Sequence, residues 1–140
     1  MAGKATTAAS RLGLTVGDIV GEFGFDDDVD ENLRNSFESI IGSPLAPHDA
    51  DEAFHAALVW WRADDGDLTD ELVDVTTSLE DEGVVLLATP RPGREGYIDA
   101  AEIGDAAKTA GFGQPSSAHP AGDWVTVKLM RSKQSGKTRR

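Results

Sequence analysis

The chain has 140 residues, no cysteine, a hydrophobic fraction of 39% and a formal net charge of −12. This suffices for one buried core and excludes disulfides and thiolate metal sites. No apolar run approaches the roughly 20 residues that cross a bilayer, and Met1 to Ser10 lacks the apolar centre of a secretory signal, so the sequence predicts a cytoplasmic protein.

The charge is unevenly placed. Lys128, Arg131, Lys133, Lys137, Arg139 and Arg140 cluster at the carboxyl end without an acid, leaving seven bases against 25 acids elsewhere. So negative a body repels phosphate backbones and argues against nucleic acid as the main partner. The pattern predicts a flexible arm over 1–12, one domain over 13–131 and a basic disordered tail over 132–140.

In chain order, Asp18 to Phe25 reads as a first strand. Val29, Leu33, Phe37, Ile40 and Ile41 then share one helical face, with Asp26, Asp27, Asp28 and Asp30 placed to cap its amino end and Gly42 to stop it. Ser43 to Pro47 is at most a stub of strand, because two prolines spoil a ladder. Phe54 to Trp61 is apolar almost throughout, as befits a strand buried on both faces. After the turn Asp64 to Asp67, a helix carries Leu68, Leu72, Val75 and Leu79 on one face and ends at Gly83. Val84 to Thr89 is a second buried strand, closed by Pro90 to Arg94. Asp99 and Glu102 have capping-box spacing into a helix that ends at Gly111. Trp124 to Met130, with the residues before it, fits a closing hairpin.

This order predicts an α/β, Rossmann-like three-layer sandwich with five or six strands, mostly parallel and ending in an antiparallel hairpin. Ligands in such folds bind beyond the strand carboxyl ends, where strand order reverses. Here those ends are Phe25–Asp26, Trp61–Arg62 and Pro90–Arg91.

Each candidate site residue carries a packing alternative. Of Trp60 and Trp61, adjacent in a strand, one should pack beneath a helix, and the other would line a cleft with Arg62 to stack on a ligand or grip an anion. Arg91 and Arg94, with Arg62, would set three guanidinium groups along one rim, where they bind an anion or pair with Asp26–Asp30 and Asp64–Asp67. Asp26, Asp28 and Asp30 suggest a hard cation, but an EF-hand loop begun at Asp26 would need glycine sixth and glutamate twelfth. The chain supplies Glu31 and Phe37. His48, His55 and His119 lack zinc-ligand spacing, and Ser116–Ser117 lie outside any nucleophile elbow.

Two resemblances follow. Glu22-Phe23-Gly24-Phe25-Asp26-Asp27-Asp28, Leu79 to Pro90 and Ala107 to Phe112 resemble a reduced S-adenosylmethionine-dependent methyltransferase. In that family an acidic-x-Gly-x-Gly-x-Gly loop follows the first strand. Only Glu22 and Gly24 meet the pattern, and Asp26 and Asp28 stand at the later glycine positions. Glycine there lets the backbone approach the cofactor with its amides free, whereas carboxylates repel the methionine carboxylate. The acid that binds the ribose has no firm counterpart, although Asp49 and Asp51 lie near its place.

The second resemblance rests on Glu22 to Asp30, Trp60-Trp61-Arg62 with Gly66-Asp67-Leu68, and Thr89 to Gly96. These blocks resemble an actinobacterial family of small acidic proteins known as a domain of unknown function. It implies fold and lineage, without catalytic residues. The expectation is therefore a non-catalytic cytosolic binding protein with no cofactor or metal. It would bind a protein partner with a basic surface, or a small anionic effector, through Glu22, Gly24, Phe25, Asp26, Asp28, Trp60, Trp61, Arg62, Pro90, Arg91 and Arg94. The alternatives are a divergent methyltransferase that uses S-adenosylmethionine and a tail-dependent nucleic-acid binder.

Overall fold

The two continuous apolar runs become the centre of a six-stranded sheet. The structure, a computed structural model, describes residues 12–132. Its elements are β1 (Val20–Phe23), α1 (Glu31–Ile41), β2 (Ala46–Pro47), β3 (Phe54–Trp60), α2 (Leu68–Thr76), β4 (Leu79–Pro90), α3 (Ala100–Thr109), β5 (His119–Ala121) and β6 (Trp124–Met130). Apart from Leu12 and Ser132, the proposed arm and tail lie outside the described residues, as does most of the basic cluster on which the nucleic-acid reading depends.

Strand order is β2-β1-β3-β4-β6-β5. The first four strands in this order pair in parallel, whereas β6 runs antiparallel to both β4 and β5. The fold is thus α/β, mostly parallel with an antiparallel carboxyl-terminal pair. The chain moves from β1 outward to β2, then returns to place β3 on the other flank of β1. The carboxyl ends of β1 and β3 therefore flank the point where strand order reverses.

Alternation along β3 divides the core. Ala56, Leu58 and Trp60 face α1, packing with its Leu33, Phe37 and Ile41. Phe54, Ala57, Val59 and then Trp61 face α2 and α3, meeting Leu72, Val75, Ile103 and Ala107. Phe54 and Ala57 share a face despite odd spacing because the β3–β4 register shifts between Phe54 and Ala56, and a bulge inverts the alternation. Phe37, Trp60, Leu72 and Leu87 are wholly buried, and each such side chain stabilises the fold by about 1.5–3 kcal/mol.

Several local expectations need correction. The first strand begins at Val20 rather than Asp18, and α1 begins at Glu31, leaving Val29 outside it. Of the four aspartates placed as caps, only Asp30 caps the helix: its carboxylate accepts from the Leu33 N–H at 3.0 Å. Asp26 accepts instead from the Asp27 N–H within its own turn. Gly42 ends α1 in the left-handed conformation, as expected.

The second helix stops at Thr76, well before Gly83. Thr76 and Thr77 hydroxyls donate back to the Val73 and Asp74 carbonyls, and Arg131 donates to the Thr76 carbonyl at 2.8 Å. The freed carbonyls are thereby satisfied. Leu79 enters β4 and pairs with Phe54, so its helical spacing was coincidental. Asp99 stands at the amino end of α3, but its side chain makes no capping hydrogen bond.

At the opposite, amino-terminal edge of the sheet, the Ile19 N–H donates to His55 Nδ1 at 2.9 Å. Its Nε2 lies 3.8 Å from an Asp18 carboxylate oxygen and 3.6 Å from one of Glu80. Among the described residues no three metal-ligating side chains converge, and no helix is long and apolar enough to cross a membrane.

Candidate functional site

The site is built where β1, β3 and β4 end. Glu22, the penultimate residue of β1, is buried and accepts three hydrogen bonds. Arg34 Nε and Nη2 reach its two oxygens at 2.7 and 2.8 Å, and the Trp60 indole N–H donates at 2.9 Å. Register explains the meeting: β1 lies beside β3, while Arg34 sits on the first turn of the helix that the loop feeds. The Glu22 carboxylate holds the Arg34 guanidinium in its charged form and raises its pKa further.

Gly24 follows with φ of 78°. A Cβ there would lie 2.1 Å from the Trp60 carbonyl oxygen. Close approach of the β1 and β3 ends therefore demands glycine whether or not a ligand is bound. The Gly24 carbonyl accepts from Arg62 Nη1 at 2.9 Å.

Arg62 is the hub of the rim. Its fork meets the Asp28 carboxylate through Nε and Nη2, and Nη1 also reaches Asp65 at 3.1 Å. Its guanidinium carbon lies 5.1 Å from the Trp124 ring centroid, within cation–π range. The hydrogen bond from Arg62 holds the Asp28 carboxyl below the usual range, outweighing the opposing effect of burial. The same bond raises Arg62. Asp28 thus serves as the counter-ion of Arg62 instead of capping α1.

Beside this hub opens a cleft of about 450 Å³, whose walls include Asp28, Arg62, Pro90, Arg94, Asp123 and Trp124. Arg91 and Arg94 pair loosely with Asp123, at 3.8 and 3.6 Å. They do not meet the aspartates of 26–30 or 64–67, because the β5–β6 turn brings Asp123 closer. Neither tryptophan of the pair lines this cleft. Trp60 is fully buried on the α1 face, edge-on to Trp124 at 4.9 Å, and Trp61 packs on the opposite face with 9% exposure. Alternation sent each ring into a different core. Phe25 is 54% exposed and lies beneath the Arg34 guanidinium, and Asp26 is exposed beside it.

Against this geometry stand three comparisons. A family model described as "Protein of unknown function (DUF3052)" matches residues 9–133. The chain belongs to this family. Relatives include uncharacterized proteins of Mycobacterium bovis, Mb2263c, and of Mycobacterium tuberculosis strain H37Rv, Rv2239c. Each is 37% identical over 132 residues, covering 94% of this chain and 83% of the relative. Among solved structures, the pyocyanin biosynthetic protein PhzM superposes with a TM-score of 0.60 at 9% identity. That match covers 84% of this chain, which spans only about half (51%) of PhzM. Magnesium protoporphyrin IX methyltransferase (ChlM) from Synechocystis PCC 6803, with bound SAM, gives 0.54 at 11% identity, covering 89% of this chain and 76% of ChlM. At such identities the likeness is one of fold, not activity.

Three members of the DUF3052 site were not found from the sequence. Arg34 carries no motif that marks it, yet it lies one turn from Asp30 and beside Glu22. Trp124 reads in sequence only as part of the closing hairpin, although its indole N–H donates to the Asp28 carbonyl at 3.0 Å and ties the loop to β6. Asp123 carried a faint signal: it is the sole acid after Asp105, in the Gly122–Asp123 turn.

Proposed function

We propose that this protein is a non-catalytic cytosolic binding protein that uses the strand carboxyl rim of a methyltransferase-like fold. Its principal ligand is a protein partner with a basic surface, drawn by the acidic body and oriented by the arginines of the rim. A small anionic effector is the second ligand class for the same face. The observation that carries the reading is the closed Glu22–Arg34–Trp60 network, in which both carboxylate oxygens are already engaged.

The residues present do not fit S-adenosylmethionine. Glycines in such a loop expose amides and let the backbone meet the cofactor. Here Gly24 abuts the Trp60 backbone, and Arg62 covers its carbonyl. Asp26 and Asp28 stand where that pattern calls for glycine and backbone approach, and Asp28 brings a carboxylate already matched to Arg62. A ligand entering this loop would first have to break an ion pair and displace a buried one. These contacts support a scaffold whose exposed loop is tied down by its own ion pairs.

The competing reading is a divergent methyltransferase, favoured by the fold of ChlM and PhzM alone. Calorimetric titration of the full chain with S-adenosylmethionine and S-adenosylhomocysteine separates the two. The binding-protein reading predicts no heat of association at micromolar concentrations. Saturable micromolar binding of either compound would end it.

A further inference from the structure

Arg91, Pro92, Gly93 and Arg94 form a tight turn immediately after β4. The Arg94 N–H donates to the Arg91 carbonyl at 3.1 Å, and Gly93 has φ of 90°. Left-handed glycine at the third position is what a type II turn requires, and proline at the second is common there. The two arginines therefore stand at its two ends, drawn together by that hydrogen bond. The Arg91 N–H also donates to the Asp123 carbonyl at 3.0 Å, fixing the turn against the β5–β6 connection. Backbone bonds, rather than side-chain chance, bring Arg91, Arg94 and Asp123 together.

The side-chain contacts are of another kind. Each oxygen of Asp123 faces a different guanidinium, at 3.8 and 3.6 Å, and both separations exceed hydrogen-bond length. All three side chains are half exposed. Arg62, a few residues away in space, differs: its fork is fully engaged and its side chain is only 13% exposed. Of the arginines on this rim, Arg91 and Arg94 hold donors available to a ligand.

The geometry points to an oxyanion subsite at Arg91 and Arg94 for a small phosphate-bearing ligand, with Asp123 as the internal anion that the ligand must outcompete. Two guanidinium forks offer more donors than one planar carboxylate can accept, whereas a tetrahedral phosphate presents an oxygen edge to each. The adjoining cleft of about 450 Å³, walled by Pro90, Gly96 and Trp124 and by the carboxylates of Asp28, Asp64 and Glu95, takes the remainder of the molecule, which those acids require to be uncharged or cationic. The acidity of the surrounding body excludes a long polyanion and leaves a compact one. This inference rests on the same rim as the proposed binding function, but not on the absence of catalysis.

The test is a titration of the ¹⁵N-labelled full chain with inorganic phosphate at constant ionic strength, with chloride as the control. Amides of residues 91–96 and 122–124 should shift saturably with phosphate and not with chloride. Asp123→Asn should tighten phosphate binding by about tenfold, and Arg91→Ala or Arg94→Ala should weaken it by a similar factor, the usual scale for one charge-assisted contact. All three positions are exposed, so the variants retain the fold, which the remaining amide spectrum verifies. Equal affinity in wild type and Asp123→Asn, or in wild type and the Arg91→Ala/Arg94→Ala double variant, overturns the subsite. Binding of S-adenosylhomocysteine would instead count against the non-catalytic reading and leave this result to stand or fall separately.

Discussion

Replacing Arg34 with alanine is the sharpest perturbation of the closed loop. It leaves the Glu22 carboxylate, 8% exposed at the side chain, with Trp60 Nε1 as its one remaining donor. Breaking a buried ion pair by removing one partner costs about 3–5 kcal/mol. Arg34 is 22% exposed, so water can partly replace it, and the expected loss falls to about 2–3 kcal/mol. The exposed Glu31 contact adds at most a few tenths. For a domain of this size that loss lowers Tm by roughly 6–10 °C. Glu22→Gln keeps the indole contact but loses charge assistance, at about 1–2 kcal/mol. The assay is urea unfolding followed by tryptophan fluorescence on both single variants and the double variant, with unchanged m-values as the check on two-state behaviour. The double variant should be little worse than Arg34→Ala, giving a coupling energy of about 1–2 kcal/mol. Additive single effects, agreeing within about 0.5 kcal/mol, would refute the network as a unit.

Three further outcomes follow from the geometry. Gly24→Ala should destabilise the fold by about 3 kcal/mol or more, from left-handed strain plus collision with the Trp60 carbonyl; near-wild-type urea stability would show that β1 and β3 do not approach this closely. Asp28 has a folded pKa depressed by Arg62, so its stabilisation is complete above the unfolded value and is lost as pH falls through the folded one. Asp28→Asn should therefore flatten the acid limb of the stability profile, and an unchanged limb would contradict the pairing. Glu71 is raised, first by burial and then by Asp74, so its ionised form opposes folding and stability declines as pH rises from the unfolded to the folded value. Glu71→Gln should raise Tm at neutral pH with less effect in acid, and a lowered Tm would contradict that sign.

The fold was legible because its signals are periodic. Unbroken apolar runs marked β3 and β4, helical spacing marked α1, and Gly42 marked its end. The end of α2 was not legible. Leu79 continues the helical stripe perfectly well, and only pairing with Phe54 and the distant Arg131 donor decide that it is a strand residue. The rim was legible as a place and less so as chemistry. Strand alternation hid both Trp60 and Trp61, while Arg34, Asp123 and Trp124 entered through contacts that span 12 to 96 residues in the chain or cross between adjacent turns. Gly24 carries the clearest lesson. In sequence it matches one glycine of a cofactor-loop pattern, and in the fold it is the residue that allows two strand ends to touch.

The central claim is that the polar groups of this loop are committed to one another. It is tested most directly by following the Trp60 and Trp124 indole N–H resonances and the Arg34 and Arg62 Nε–H resonances while S-adenosylhomocysteine is added to the full chain. The account predicts that all four stay in place, with Arg34 and Arg62 Nε–H protected from solvent exchange throughout. A saturable shift of Trp60 Nε1–H together with loss of the Arg62 protection, at micromolar ligand, would show that the loop opens to a cofactor and would contradict it.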